Sequence, residues 1–483
     1  MKRSRHLALL LALLLLVLPA APAHAARLPA AGSDLAGTLV ILHTNDTHGA
    51  DLAEPGQSLG TAGIAQLKKE YEALGAEVLL LSAGDAIQGT PLVNLSLGAS
   101  AIEFMNAAGY DAMAPGNHEF DWGCDNLKKL AAAMEFPLLA ANILDVTTRK
   151  PVFAPNTIFE TAAGKVGVFG LDTPETLTKS HPDKVRGITF LMEGELFACA
   201  QAQVDELRAA GCDLIVCLGH LGIDEESAGN RSTDLLRQVN GIDLFIDGHS
   251  HSVLDGNAPE NQIGGAMLVS TGSALANAGV VFYENGTLSA GLFSAVEYSG
   301  SHPEVAALVE AAHKAADEQL SEKFAVTEVV LDGNRAPGVR TGETNLGDFA
   351  ADAILWAARQ ALGEDAVDAA LTNGGGIRAS IQTGDVTMKD MKTVFPFGNT
   401  VATITLTGAQ LLEALEAATH CTPTAIGAFP QVAGIAFTID TTAAYENGPM
   451  YPDSTYYSPA APGSRITGVT VGGKPLDLER TYV

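Results

Sequence analysis

Five apolar runs in this chain lead into the same kinds of side chain. TLVILH (38–43) runs into TNDTHG, giving Asp46 and His48, and EVLLLS (77–82) into AGD, giving Asp85. DAMA (111–114) runs into PGNHEFD, giving Asn117, His118 and Asp121. DLIVCLG (213–219) ends at His220, and DLFIDG (243–248) at His249 and His251. FPLLAA (136–141), KVGVFGL (165–171) and AMLVSTG (266–272) are further strand-like runs. Between them lie stretches of helical periodicity, among them IAQLKKEYEAL (64–74), DNLKKLAAAM (125–134) and ELFACAQAQVDELRAAG (195–211). Such alternation constrains the chain to a layered α/β fold. Only 17% of its residues are charged. Polar groups nevertheless gather just past strand ends, the edge where open α/β sheets bind ligands. A solvated turn accounts for one such cluster, not for five in succession.

The donors are imidazole, carboxylate and amide without thiolate, a set that suits zinc, manganese or iron. Seven candidates (Asp46, His48, Asp85, Asn117, His220, His249 and His251) exceed the needs of one tetrahedral ion and suit two ions sharing a carboxylate. Asp85 is the expected bridge, being a lone carboxylate at the end of its own strand. Paired ions about 3.5–4 Å apart serve phosphatases and nucleases, where they clamp the oxygens of an in-line displacement.

In this order NDTHG, GD, GNHEFD, GH and GHSH resemble the calcineurin-like metallophosphoesterase module of the 5′-nucleotidase family, which joins that module to a C-terminal nucleotide-binding domain. The likeness extends over roughly residues 38–483. It implies one divalent ion on Asp46, His48, Asp85 and His251, and a second on Asp85, Asn117, His220 and His249. His251 stands where relatives often carry an amide. It further implies His118 and Asp121 as a catalytic dyad. His118 would stabilise charge on the phosphoryl oxygens or assist the leaving group, and Asp121 would fix its tautomer and raise its pKa. The competing role for Asp121 is to cap the helix beginning near residue 123. His181, His302, His313 and His420 lack a strand-end setting and are read as surface or core residues.

HPEVAALVEAAHKAADEQL (302–320) reads as a long amphipathic helix, beyond which short elements alternate with glycine-rich turns. The expected organisation is a loose linker (26–36), an α/β, four-layer metallophosphoesterase domain of sheets and helices (37–300), a connecting helix (301–325) and a smaller α+β nucleotide-binding domain (326–483). LTNGGGIR (371–378) lets backbone N–H groups approach a ligand and ends in an arginine suited to phosphate or carboxylate. With GNRAPGVRTGETNLGDF (333–349) and VFPFGNT (394–400) it resembles the family's nucleotide-binding domain. The resemblance implies Arg340, Asn373, Gly375 and Arg378 as substrate contacts and Phe397 as a face for the base. Arg335 is a weaker match, its spacing to Arg340 being one residue longer than in some relatives. Phe395 is the competing aromatic and is expected to pack inward. KPLDLERTYV stops where relatives continue into a further strand, a second stacking aromatic and a Gly-Gly-Asp-Gly turn, so the second domain is expected to be incomplete.

Residues 1–25 combine basic MKRSRH, an apolar run of 12 residues and the small-residue stretch PAAPAHA, a secretory signal with cleavage expected after Ala25. The run falls short of the ~20 residues that span a bilayer, so a secreted, periplasmic or cell-wall location is expected, with no membrane span. Losing Lys2, Arg3 and Arg5 takes the formal charge from −28 to −31, three cations fewer. That surface disfavours nucleic-acid polymers and leaves a small nucleotide as the partner, provided cations gather locally. The odd cysteine count (Cys124, Cys199, Cys212, Cys217 and Cys421) leaves at least one free thiol. Cys212 and Cys217 bound a strand that holds them roughly 16 Å apart, beyond bridging distance. The expected function is hydrolysis of nucleoside 5′-phosphates, with 2′,3′-cyclic nucleotides or nucleotide-sugars as alternative substrates. A sulfur-ester hydrolase and a non-catalytic nucleotide-binding surface protein are the competing functions.

Overall fold

The computed structural model describes residues 33–452 and 454–483. The signal-peptide reading of residues 1–25 lies outside the described residues, as does most of the expected linker at 26–36. Leu39–Thr44 is buried at every position, as an apolar run in a parallel sheet covered on both faces should be. It pairs in parallel with Glu77–Ser82, Leu39 opposite Glu77 and Thr44 opposite Ser82, and the sheet continues to Ala112–Met113. On its other side lies the antiparallel hairpin Asn277–Glu284 and Thr287–Ser294. A second sheet runs Val253–Leu254, Ala266–Thr271, Leu244–Ile246, Leu214–His220, Gly164–Asp172 and Asn156–Thr161, with Gln262–Ile263 alongside Ala266–Thr271.

Strand alternation sorts the side chains into layers. Leu39, Ile41, Leu79 and Leu81 face the second sheet and pack with Val166, Val168, Val216, Leu218 and Ile246. Val40, Leu42, Val78 and Leu80 face the other way, onto Ile64 and Leu67 of helix Gly60–Ala73 and Ile102 and Met105 of helix Ala99–Ala108. Phe169, Ile215, Cys217 and Phe245 turn from the inter-sheet core onto helix Glu193–Ala209. The order is helix, sheet, sheet, helix: four layers. Each fully buried Leu, Ile or Phe contributes about 1.5–3 kcal/mol.

The run FPLLAA forms only isolated bridges, because its partners diverge: Leu138 meets Met113, whereas Leu139 meets Ala154. The hairpin 277–294 escapes a periodicity search, since glycine, asparagine and serine interrupt its apolar positions. Helix Pro303–Leu320 lies against the first domain, with Val305 and Val309 in its core. Lys323–Thr327 pairs with Gly384–Thr387, so the chain enters the second domain's sheet at Lys323, slightly before the expected boundary. That domain contains helices Asn345–Leu362 and Gly408–Ala418, whose caps Thr344 and Thr407 accept from Gly347 and Gln410 N–H, and short antiparallel pairs such as Ala370–Asn373 with Pro430–Ala433. All five cysteines are free, and Cys217 lies within Leu214–His220 rather than beyond it. Among the described residues no helix is long and apolar enough to cross a membrane.

Candidate metal centre and substrate cleft

The strand-end turns converge at one edge of the two sheets. His220 Nε2 lies 3.1 Å from Asp85 Oδ2 and 3.8 Å from Asp46 Oδ1. His251 Nε2 is 3.4 Å from Asp46 Oδ1, and His48 Nε2 is 3.1 Å from His251 Nε2 and 3.9 Å from Asp85 Oδ2. His249 turns Nδ1 to Asn117 Oδ1 at 2.9 Å. Five of the seven expected ligands form two overlapping groups, Asp46, His48 and His251, and Asp46, Asp85 and His220; the His249–Asn117 pair adjoins them through the His249 N–H, 3.1 Å from the Asp46 carboxylate. Asp46 belongs to both groups, while Asp85 Oδ2 lies between His48 and His220. Both carboxylates thus sit where a bridge belongs.

The turns are locally strained to achieve this. Asp46, His48, Asp85, His249 and His251 all have positive φ, from 48° to 72°. Left-handed backbone at a non-glycine residue is unfavourable and persists where tertiary contacts impose it, often at functional sites. Two glycines make room. A Cβ on Gly116 would meet His220 Nε2 at 2.7 Å, and one on Gly248 would meet His220 Nδ1 at 2.6 Å.

The donor set fits divalent cations. His220 donates Nδ1–H to Ala83 O at 2.7 Å, and His48 Nδ1 faces Gln88 O at 3.2 Å, leaving each Nε2 lone pair pointing into the group. Burial pushes the Asp46 carboxyl up to about 7, with His220 the main opposing influence. A carboxylate buried in this way calls for a nearby cation. His43, by contrast, is a core residue: burial drives its pKa down to about 3, and its ring packs on Gly279.

His118 Nδ1 lies 2.7 Å from Asp121 Oδ2. Helix Cys124–Ala133 has no side-chain cap, so the side chain of Asp121 serves His118 rather than the helix end. Burial opposes a charge on His118, but Asp121 and then Asp85 outweigh it and raise the pKa above the ordinary value. Across the candidate metal centre the second domain contributes Arg335, Arg340, Asn373, Gly375, Arg378 and Phe397 to the lining of one cleft of about 950 Å³. Arg335 reaches His251 Nδ1 at 3.5 Å and Asp224 at 3.9 Å. Burial, then Arg378 and Arg335, lower the Arg340 pKa to about 9. Neither Arg340 nor Arg378 has an ion-pair partner among the described residues. Half-buried guanidinium groups that repel one another and lack a counterion mark a site for an anion. Phe395 packs inward against the second domain's core, as expected.

Residues 39–253 match the calcineurin-like phosphoesterase family, and residues 323–483 match the 5′-nucleotidase C-terminal domain. The chain is 32% identical to a 5′-nucleotidase of Vibrio cholerae, over 92% of this chain and 83% of that protein. It is 33% identical to the trifunctional nucleotide phosphoesterase YfkN of Bacillus subtilis, over 83% of this chain but only 29% of that longer protein. The crystal structure of a 5′-nucleotidase precursor from Thermus thermophilus superposes with a TM-score of 0.73 at 30% identity, covering 92% of this chain and 88% of that one.

The chain belongs to the 5′-nucleotidase family. It is a metallophosphoesterase-type hydrolase with a candidate binuclear metal site.

Several residues that build this 5′-nucleotidase-family site receive no site role from the sequence, although Glu119 stands among the metal- or proton-binding groups of PGNHEFD. Glu119, fully buried, accepts N–H bonds from Gly116 (2.5 Å), Asp85 (2.8 Å), Ala86 (2.8 Å) and Ile87 (3.2 Å), tying the Asn117 turn to the Asp85 turn. Asp247 accepts from Leu221, Gly222 and Gly248 N–H at 3.0–3.1 Å, tying the His220 turn to the His249 turn. Glu175 lies 3.0 Å from His249 Nε2 and is joined to Lys179. Glu119 and Asp247 carried a signal as acids inside the strand-end motifs, and Glu175 a fainter one, four residues past the run 165–171.

Proposed function

We propose that this chain is an exported phosphomonoesterase that releases phosphate from nucleoside 5′-phosphates, using two divalent ions held by Asp46, His48, Asp85, Asn117, His220, His249 and His251. The observation that carries this reading is that Asp85, Asn117, His249 and His251 line one cleft with Arg335, Arg340 and Arg378 of the second domain, while Asp46, His48 and His220 cluster with Asp85 and His251 beside it. The imidazole, carboxylate and amide donors suit zinc, manganese or iron.

Bound ions there supply an activated water and neutralise charge on the phosphoryl oxygens. The chain's own residues do the rest. Arg340 and Arg378, without counterions among the described residues, hold the phosphate or its leaving oxygen by charge-assisted hydrogen bonds. His118, with Asp121 on Nδ1, presents Nε2 to the reacting group as a donor. Asn373 and Gly375 bind the nucleoside end, and Phe397 offers its face to the base. Export rests on the character of residues 1–25, and N-terminal sequencing of the mature protein should give Ala26.

The decisive assay is phosphate release from AMP by chelator-stripped protein supplied with manganese, zinc or iron. 2′,3′-cyclic AMP, a nucleotide-sugar and a thiosulfate ester serve as competing substrates. Hydrolysis of AMP restored by metal supports the proposal. Tight AMP binding without turnover under any ion would instead indicate a nucleotide-binding protein, and preference for the sulfur ester would indicate the other hydrolase class.

A further inference from the structure

His249 is gripped from behind by a chain of charges that the two-ion reading does not use. Its Nε2 lies 3.0 Å from Glu175 Oε2, while Nδ1 faces Asn117 Oδ1 at 2.9 Å. Donation of Nε2–H to a carboxylate leaves the lone pair on Nδ1, the form able to ligate an ion beside Asn117. Glu175 is itself held. Lys179 Nζ reaches the same Oε2 at 3.0 Å and Glu226 Oε1 at 2.6 Å. The local sequence explains the geometry, since Glu175 and Lys179 bracket the single helical turn Thr176–Lys179 at a spacing of four residues, which places them on one face.

Lys179 also lines the substrate cleft, so a direct contact with phosphate is the competing role. Charge balance argues against it. Its ammonium already lies between two carboxylates, whereas Arg340 and Arg378 have no ion-pair partner among the described residues and are the cations available to an anion. Removing the ammonium would leave Glu175 and Glu226, 1% and 9% exposed, as like charges in a nearly dry pocket. Their repulsion would draw Glu175 away from His249.

We propose that Lys179 is a positioning residue for the second metal site: through Glu175 it fixes the ring of His249 so that Nδ1 and Asn117 face a common ion. The inference rests on His249 and Asn117 being ligands. It assigns Lys179 to metal affinity and not to substrate affinity.

The test is calorimetric titration of chelator-stripped full-length protein with Mn²⁺. Two binding events are expected for the wild type. Lys179→Met should weaken one of them about 10–100-fold, the usual consequence of losing an outer partner of a ligand, and leave the other in place. Lys179→Arg should recover most of the loss. Glu226→Gln keeps the ammonium but removes half of its hold, and should weaken the same event in the same direction. That variant carries the test if Lys179→Met does not fold. Two unchanged binding events in the variants, or equal losses at both, overturn the role of Lys179 while leaving the two-ion reading intact. A wild-type protein that binds no Mn²⁺ overturns the two-ion reading itself. A raised KM for AMP at saturating metal, with both Mn²⁺ affinities intact, would make Lys179 a phosphate contact and also overturn the proposal.

Discussion

The ring of Phe397 lies nearly parallel to the imidazole of His118, centroids 5.5 Å apart and planes 14° from coplanar, while the Arg378 guanidinium sits 5.6 Å from the same ring. A side chain of the second domain thus covers the imidazole of the proposed dyad. It also borders the space a nucleotide would occupy, so the aromatic face expected to take a base is at the reaction centre. Phe397→Ala should raise KM for AMP by roughly 5–150-fold, the equivalent of about 1–3 kcal/mol of stacking. Turnover of ribose 5-phosphate, which has no base, should change little. Steady-state kinetics on the two substrates decide this, and equal losses on both would mean that Phe397 supports His118 rather than the base.

His118 works best as an imidazolium if it donates to the reacting oxygens. Its pKa is raised, chiefly because Asp121 and Asp85 outweigh the cost of burial. Activity should therefore fall as pH rises through that pKa. Asp121→Asn removes the charge that raises it, so the falling limb should move to lower pH. His118→Ala should lower kcat by roughly 10²–10⁴-fold with bound metal retained. A mutant pH profile that shifts upward, or a change in KM alone, would contradict the assignment.

Glu119 makes a prediction about architecture rather than chemistry. Its carboxylate receives four backbone N–H groups from the turns that carry Asp85 and Asn117. Glu119→Gln replaces one acceptor oxygen with a donor aimed at those N–H groups and should cost about 1–3 kcal/mol. Chemical denaturation of metal-free protein should show a lower midpoint at constant slope. An unchanged midpoint would mean that the two turns hold their shape without it.

What the sequence disclosed and what it hid follow from the range of the interactions. Asp46, His48, Asp85, Asn117, His220, His249 and His251 could be found because each stands at the end of an apolar strand, and strand ends in a parallel sheet share one edge. Glu175 and Lys179 were not found: Glu175 follows the run 165–171 much as the ligands follow theirs, but it lies in none of the motifs that carry the family resemblance, and it meets His249 across 74 residues of chain. The two-sheet arrangement was implied by the family resemblance and not by periodicity, since the run at 38–43 reads as apolar throughout and its alternation between two cores shows only after folding. The free Arg340 and Arg378 were legible as types, but their lack of counterions is a three-dimensional fact.

The central claim is that two ions share a carboxylate at the meeting point of these strands. Asp85 Oδ2 lies between His220 and His48, and Asp46 Oδ1 between His220 and His251, so the two acids can be set against each other. The direct measurement is the number of ions bound per chain, with AMP hydrolysis followed on the same samples, for the wild type, Asp85→Asn and Asp46→Asn. With Asp85 as the bridge, the predicted results are two ions in the wild type, loss at both sites with abolished hydrolysis in Asp85→Asn, and retention of one ion in Asp46→Asn; the reverse pattern would make Asp46 the shared acid. Full metal content and full activity in Asp85→Asn would contradict the shared-carboxylate account.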